Sequence, residues 1–408
     1  MLPSTVPTMR EAIDSTLLAE AEGLLDETAA LRRHLHRNPE LGLQLPRTQE
    51  RLLDALAPLQ LATRQGTTTT SITATIDGDH DGPTILLRAD MDALPLHEDT
   101  DVDFPSDDPD TMHACGHDLH VSMLTGAAKL LHDRRKELHG RVLLMFQPGE
   151  EGHHGARYML EDGLLDDVGT VDRAFAIHVT TNAPTGFVAL KAGSLMASAD
   201  RMMITVKGRG GHASAPHYAL DPIPIACEIV QALQTMMTRR IDVFDPGIVT
   251  VGRISAGTTN NVIPETAEIE GTIRAISEAT RMKIHSGIQR VAEGVASAHE
   301  AEVVVEIIHG FPVTINDDHV AAEVIRIAGG LLGNEVVRPM PNPVMGSEDF
   351  SYVLQKVPGA MAFLGATPHG INPFTAPPNH SNRVRFDEAA MPTGIALYAA
   401  MALDHLAG

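Results

Sequence analysis

Val142–Gly152, VLLMFQPGEEG, is the stretch on which the fold turns. The apolar run Val142 to Phe146 reads as a buried strand, and Pro148-Gly149 ends it. The acidic pair Glu150-Glu151 therefore leaves the carboxyl end of a strand, which is where open α/β sheets bind their ligands. On either side, strand-like and helical runs alternate. A helical pattern over Glu27 to Arg37 stops at Asn38-Pro39, Thr84 to Leu87 reads as a strand, a helix spans about Leu119 to Leu131, and Ala174 to Ile177 reads as another strand. Such alternation predicts an α/β domain with a mixed, mostly parallel sheet flanked by helices.

Between about Ala197 and His309 the grammar changes. Strand Arg201 to Lys207, helix Asp221 to Thr238, strands Ile248 to Ile254 and Ala267 to Ile276, helix Glu278 to Ala296 and strand Glu302 to Ile308 follow in that order. This βαββαβ order is that of a ferredoxin-like α+β domain. The chain is accordingly expected to hold a first domain in two parts, 1–196 and 310–408, interrupted by an insert at 197–309. Beyond the insert, Asp318 to Leu332 reads as a helix, Met361 to Leu364 as a strand, and Asp387 to His405 as a helix with Pro392 in its first turn.

Composition excludes some functions. The 408 residues carry Lys+Arg 31 against Asp+Glu 53, a net charge of −22 with His neutral, so a nucleic-acid or anionic-membrane surface is not expected. With Trp 0, Tyr 4 and Phe 10 there are also few platforms for stacking bases. Cys115 and Cys227 cannot make a disulfide framework. The start MLPSTVPTMREAID lacks the apolar core of a secretory leader, and Ile395 to Leu403 is too short to span a bilayer. A soluble cytoplasmic protein is the expectation.

The 21 histidines matter by where they cluster. In His113-Ala-Cys-Gly-His-Asp-Leu-His120, Cys115 and His117 stand two apart, so an extended backbone would point both the same way. Thiolate with imidazole suits zinc or a similar divalent ion. Taken alone, a C-x-H pair could be a buried cysteine and a surface histidine, and Glu150-Glu151 could be a solvated turn. Yet Asp90 and Asp92 follow the strand Thr84 to Leu87, His178 follows Phe175 to Ile177, and His380 lies in a Pro-rich loop after Met361 to Leu364. Four strand ends thus deliver metal-ligand types, and paired carboxylates in one cleft are relieved by a bound cation.

These strings also carry a resemblance. RADMDALP (Arg88 to Pro95), HACGHDLH (His113 to His120), QPGEEG (Gln147 to Gly152), GGHAS (Gly210 to Ser214), NVIP (Asn261 to Pro264) and GSEDF (Gly346 to Phe350), with the opening RRHLHRNPELG (Arg32 to Gly42), run in order over nearly the whole chain. Together they resemble the amidohydrolase branch of the aminoacylase and carboxypeptidase metallopeptidase family, which includes hippurate hydrolases, indole-acetyl-amino-acid hydrolases and N-acyl-amino-acid deacetylases. The resemblance implies a catalytic domain interrupted by a lid used for dimerisation. It further implies two divalent ions, zinc or manganese, with cobalt or nickel as options, held by Cys115, His117, Glu151, His178 and His380. Glu150 matches the general base, and Asp92 the position that steers a metal-bound histidine. His212 matches a donor to the oxyanion that reaches across a dimer. Asn261 and Arg274 match contacts to the substrate, Arg274 gripping a carboxylate through two parallel hydrogen bonds. Which group bridges the two ions stays open.

The expected activity is hydrolysis of the amide of N-acyl amino acids by a homodimer or larger homo-oligomer. A metal lowers the pKa of its water to near 7, so Glu150 need only accept a proton and later return it to the leaving amine. Three alternatives stand beside this one: a metallo-dipeptidase acting on unblocked peptides, a metal-independent hydrolase with Cys115 as nucleophile beside His117, and a silent metal- or ligand-binding module. Gly208-Arg-Gly-Gly211 lacks the Lys-Ser/Thr ending of a phosphate loop. Cys227 is expected to be buried in an apolar helix, and His34 and His36 to cap or pack the first helix.

Overall fold

The computed structural model describes residues 16–166 and 168–408; the N-terminal segment that lacks a leader-like core lies outside them. The chain divides into two compact units. The first holds the chain up to Ala192 with Asn316–Pro341 and Val353–Gly408, and the second holds Gly193–Ile315 with Asn342–Tyr352.

The first unit is built on an eight-stranded sheet. In sheet order its strands are Ala62–Gln65, Ile72–Asp77, His139–Gln147, His80–Asp90, Arg173–Pro184, Gly359–Thr367, Val188–Leu190 and Val337–Pro339. The four central strands, from His139–Gln147 to Gly359–Thr367, run parallel. Antiparallel pairs flank them at Ile72–Asp77 and Val188–Leu190, which makes the sheet mixed. Val142–Gln147 is buried at every position, as the opening apolar run requires. Against the sheet packs the helix His117–Asp133, buried on nearly all sides and wedged between helices Leu25–Arg37 and Met391–His405. Leu119, Met123, Leu124 and Ala127 join Ile395 and Tyr398 in one core, each large apolar side chain contributing about 1.5–3 kcal/mol. The Tyr398 hydroxyl is satisfied there, donating to the Arg88 carbonyl at 2.7 Å and accepting from the Ile177 amide at 3.1 Å.

The last helix begins at Met391, later than the expected Asp387. Asp387 instead caps a short 3₁₀ turn over Glu388–Ala390, and Pro392 does lie in the first helical turn. Helix Pro46–Leu56 and the strand Ala62–Gln65 were not foreseen; the strand is exposed throughout and carries no apolar period.

The second unit has a four-stranded antiparallel sheet in the order Gly247–Ala256, Thr266–Ala275, Asp200–Lys207, Glu302–Ile308. Helices Pro222–Arg240 and Glu278–Ala298 share one core with its buried face, so the βαββαβ order folds as a ferredoxin-like sandwich. Both helices start on side-chain caps: Asp221 accepts from the Ile223 amide at 3.0 Å and Ser277 from the Thr280 amide at 3.1 Å. This unit runs wider than 197–309. The Ala197 amide donates to the carbonyls of Val344 and Gly346, which ties in 342–352, and the Ala199 amide donates to Phe311. Cys227 is exposed, contrary to expectation, because Ile225, Ala226, Ile229 and Leu233 take the inward stripe of its helix. No helix among the described residues is long and apolar enough to cross a membrane.

Candidate metal centre

The first unit gathers the five candidate ligands at one place. Cys115 lies in the turn that starts helix His117–Asp133, a turn made by Gly116 at φ 90°. A Cβ at Gly116 would collide with the Val179 side chain, so glycine is required there both by conformation and by space. Cys115 Sγ stands 3.4 Å from His178 Nε2 and 3.3 Å from His380 Nε2. His380 Nε2 in turn is 3.1 Å from Glu151 Oε1, and His117 Nε2 is 4.0 Å from the same oxygen. Three overlapping triads result, Cys115–His117–His178, Cys115–Glu151–His380 and His117–Glu150–Glu151, each with its donor atoms within 4.8 Å of one another. His178 does not end its strand as expected but sits within Arg173–Pro184, its side chain carried by a strand that continues past it.

The imidazoles are aimed by their other nitrogens. His117 Nδ1 bonds the Asp92 carbonyl oxygen at 2.8 Å, and His178 Nδ1 the Val179 carbonyl oxygen at 2.8 Å. A carbonyl only accepts, so both rings carry a proton on Nδ1, and in the neutral ring the lone pair is on Nε2. His117 Nε2 is fully buried and has no hydrogen-bond partner among the described residues. A buried lone pair beside a thiol and carboxylates, with soft and hard donors mixed, fits a borderline divalent cation.

Asp92 stands against His117 and the acidic turn together. Its carboxylate is 3.5 Å from His117 Nδ1, and its oxygens also accept from the backbone amides of Glu150 at 2.9 Å and Glu151 at 3.0 Å. It clamps the acidic turn, whose Gly149 adopts φ 71°, while its main chain orients His117. Glu150 is thereby held with its side chain inside the cluster and only 6% of the residue exposed.

Electrostatics follow from the crowding. Burial pushes the Cys115 thiol up, but facing His178 and His117 pull it down to about 6. His380 is pushed up to about 10 by its hydrogen bonds to Cys115 and Glu151. Burial also raises the Glu151 carboxyl, yet the His380 hydrogen bond and the nearby His117 carry it below its ordinary value.

His212, Asn261 and Arg274 belong to the second unit. Gly211–His212 pairs with Val262–Ile263 in a two-stranded ribbon, and the Ala213 amide donates to the Asn261 carbonyl at 3.1 Å, which sets these two residues side by side. The Ser214 amide donates to His212 Nδ1 at 3.2 Å, so the proton of the neutral ring is on the exposed Nε2. Arg274 is half-buried, and its Nη1 is buried with no hydrogen-bond partner among the described residues. Burial lowers its pKa.

Asp90, marked by the sequence beside Asp92, is fully buried, 2.7 Å from Arg88 Nη1 and 2.5 Å from His120 Nδ1. His120 and Asn379 were not singled out by the sequence; Asn379 donates to the carbonyls of Cys115 and Val179. Their signal was adjacency, since each lies in or beside a motif already marked. His36 packs as expected but also bonds buried Asp118 at 2.9 Å, behind the ligand helix.

Comparison with known proteins bears on this geometry. The model of peptidase family M20/M25/M40 matches residues 86–404. The chain is 37% identical over 377 residues to thermostable carboxypeptidase 2 of Saccharolobus solfataricus, covering 91% of this chain and 94% of that protein. It is 38% identical over 336 residues to N-acetylcysteine deacetylase of Bacillus subtilis, covering 82% and 87%. Among solved structures, the Bacillus subtilis YXEP protein, described as a dinuclear metal binding peptidase from the M20 family, superposes with a TM-score of 0.80 at 33% identity, covering 94% of this chain and 99% of that one.

Proposed function

Because the chain belongs to peptidase family M20/M25/M40, we propose that it is a metal-dependent amidohydrolase that splits N-acyl amino acids into a carboxylic acid and a free amino acid. The convergence of Cys115, His117, Glu151, His178 and His380, with Cys115, His117 and Glu151 each shared by two triads, carries this reading. Zinc or manganese suits the set, with cobalt and nickel served by the same donors.

Bound divalent ions supply Lewis acidity to the scissile carbonyl and acidify water. Glu150 accepts the water proton at its carboxylate and returns it to the departing amine, a role supported by its seclusion beside His117 and Glu151. His212 donates its Nε2–H to the oxyanion. Arg274, whose Nη1 has no partner among the described residues, takes the amino-acid carboxylate, with Asn261 beside His212 as a second polar contact. Cys115 is read as a ligand because four other candidate donors, His117, His178, Glu151 and His380, each place an atom within 4.8 Å of its sulfur.

The enzyme works as a homodimer in the cytoplasm on this reading. Two unpaired cysteines support the compartment. Strand Gly247–Ala256 supports the dimer: it ends its sheet with a free edge and exposes Ile248 and Ile254, and such an edge is a template for a second copy. Light scattering should give twice the 43.7 kDa chain mass. The carboxypeptidase relative favours a second substrate class, unblocked peptides, and a panel of N-acetyl amino acids against dipeptides separates the two.

Glu150→Gln tests the mechanism. It should keep the metal content of the parent and lose about 10²–10⁴-fold in kcat. Parental turnover in that variant would remove Glu150 from the chemistry.

A further inference from the structure

One residue in the first unit is gripped at both of its main-chain polar groups, which belong to successive peptide units. The Val179 amide donates to His120 Nε2 at 2.8 Å. The Val179 carbonyl accepts from His178 Nδ1 at 2.8 Å and from Asn379 Nδ2 at 3.0 Å. Because His120 Nε2 accepts, that ring carries its proton on Nδ1, which faces the buried Asp90 Oδ1 at 2.5 Å. Asp90 is anchored in turn by Arg88, whose Nε donates to Gln147 Oε1 at 2.8 Å at the end of the strand that leads to Glu150. The line Gln147–Arg88–Asp90–His120–Val179 therefore crosses three adjacent strands beneath the candidate ligands, wholly buried.

Asn379 closes the other side. Its Nδ2 also donates to the Cys115 carbonyl at 3.1 Å, and the amide of its neighbour His380 donates to the Ala114 carbonyl at 2.9 Å. One carboxamide thus binds the Cys115 turn to the His178 strand while its own backbone carries His380. Three ligand-bearing segments, far apart in sequence, meet at a single Nδ2.

We propose that the Val179 main chain is the alignment element of the metal centre, with His120 and Asn379 as positioning residues that hold its N–H and its C=O so that His178 keeps its Nδ1–H tautomer and faces Cys115. This rests on the five-ligand reading above. The physical reason is that a buried ring finds its orientation only if its far nitrogen has a fixed acceptor. An isolated strand carbonyl would be free to rock with the pleat. Held at both its N–H and its C=O, Val179 fixes the His178 ring, and Asn379 sets the spacing of Cys115 and His380 against it.

The experiment uses Co²⁺ and Zn²⁺ as probes on the full chain. Asn379→Asp keeps the shape but replaces the donating Nδ2 with an oxygen facing two carbonyls. His120→Ala removes the acceptor, whereas His120→Gln restores one at the Nε2 position. Asn379→Asp and His120→Ala should weaken metal binding about 10–100-fold, as removal of such supporting contacts does elsewhere. They should also alter the visible and thiolate charge-transfer absorption of the Co²⁺ protein, and lower kcat more than they raise KM. His120→Gln should recover much of the parental spectrum. Circular dichroism checks folding, and should Asn379→Asp fail to fold, Asn379→Ser, which keeps one donor and no charge, replaces it. Parental affinity and an unchanged Co²⁺ spectrum in folded Asn379→Asp and His120→Ala would overturn the proposal. A parent protein that binds neither ion would instead overturn the ligand set itself.

Discussion

The donor crevice of the first unit and the His212–Asn261 ribbon of the second are made to opposite specifications. In the crevice His117 and Asp90 have no solvent exposure, and His117, His178 and Glu151 are each fixed by a second contact. On the ribbon His212 is exposed, held by a two-residue pairing and by Ser214. The difference teaches what each task needs. Ligands of a cation must already be dry and mutually braced, because a displacement of about 1 Å is enough to lose function. A donor that meets a diffusing substrate must stay accessible, and it can be supported by little more than its own turn.

Cys115→Ala breaks the crevice most directly. It removes a donor common to two triads, so metal analysis should show less than the parental stoichiometry. Turnover should fall on the order of a thousandfold, the several kcal/mol that Lewis acidity supplies. Parental metal content would show that the crevice does not depend on the thiolate.

His212→Ala sharpens the contrast from the other side. It should cost about 10²–10³ in kcat, the scale of one oxyanion donor, with metal content and thermal midpoint unchanged. A loss of metal on this change would mean that ribbon and crevice are not separate devices.

Glu98 tests whether the bracing behind the crevice responds to acid. Burial alone would raise its carboxyl, but the hydrogen bonds from His36, Thr100 and the Ser106 amide take it from 4.5 down to about 2. The folded state therefore binds this proton less readily than the unfolded chain. Its contribution is complete above pH 4.5 and disappears as the pH falls toward 2. Thermal midpoints of the parent should drop across that window more steeply than those of Glu98→Gln, and identical slopes would show that the contact adds nothing. The smallest effect is expected at Cys227, exposed on its helix: Cys227→Ser should shift stability by less than about 0.5 kcal/mol and leave metal content alone.

Much of the fold was legible because long periodic segments carry it. The run Val142 to Phe146, the helix through Leu119 to Leu131 and the βαββαβ order each announce themselves by apolar spacing. Short polar pieces such as Ala62–Gln65 do not, since their strand conformation is imposed by pairing with Ile72–Asp77 and not by burial. Within the site, residue types with strong chemistry were visible, Asp90 among them, whereas His120 and Asn379 were not distinguished from their neighbours. Asp92 was visible, but its carboxylate also meets two backbone amides that no side-chain pattern marks.

By itself the amino-acid order determined which donors exist, on which kinds of element they ride, and that an α+β insert separates their two groups. Tertiary structure alone decided which nitrogen each imidazole presents, how near Cys115 comes to His178 and His380, and that one Asn379 amide reaches two ligand segments. Strand and helix periodicity arises from contacts a few residues apart. The placing of ligand segments against one another arises from hydrogen bonds such as that from Asn379 to the Cys115 carbonyl, 264 residues apart, whose partners meet only after the sheet has closed.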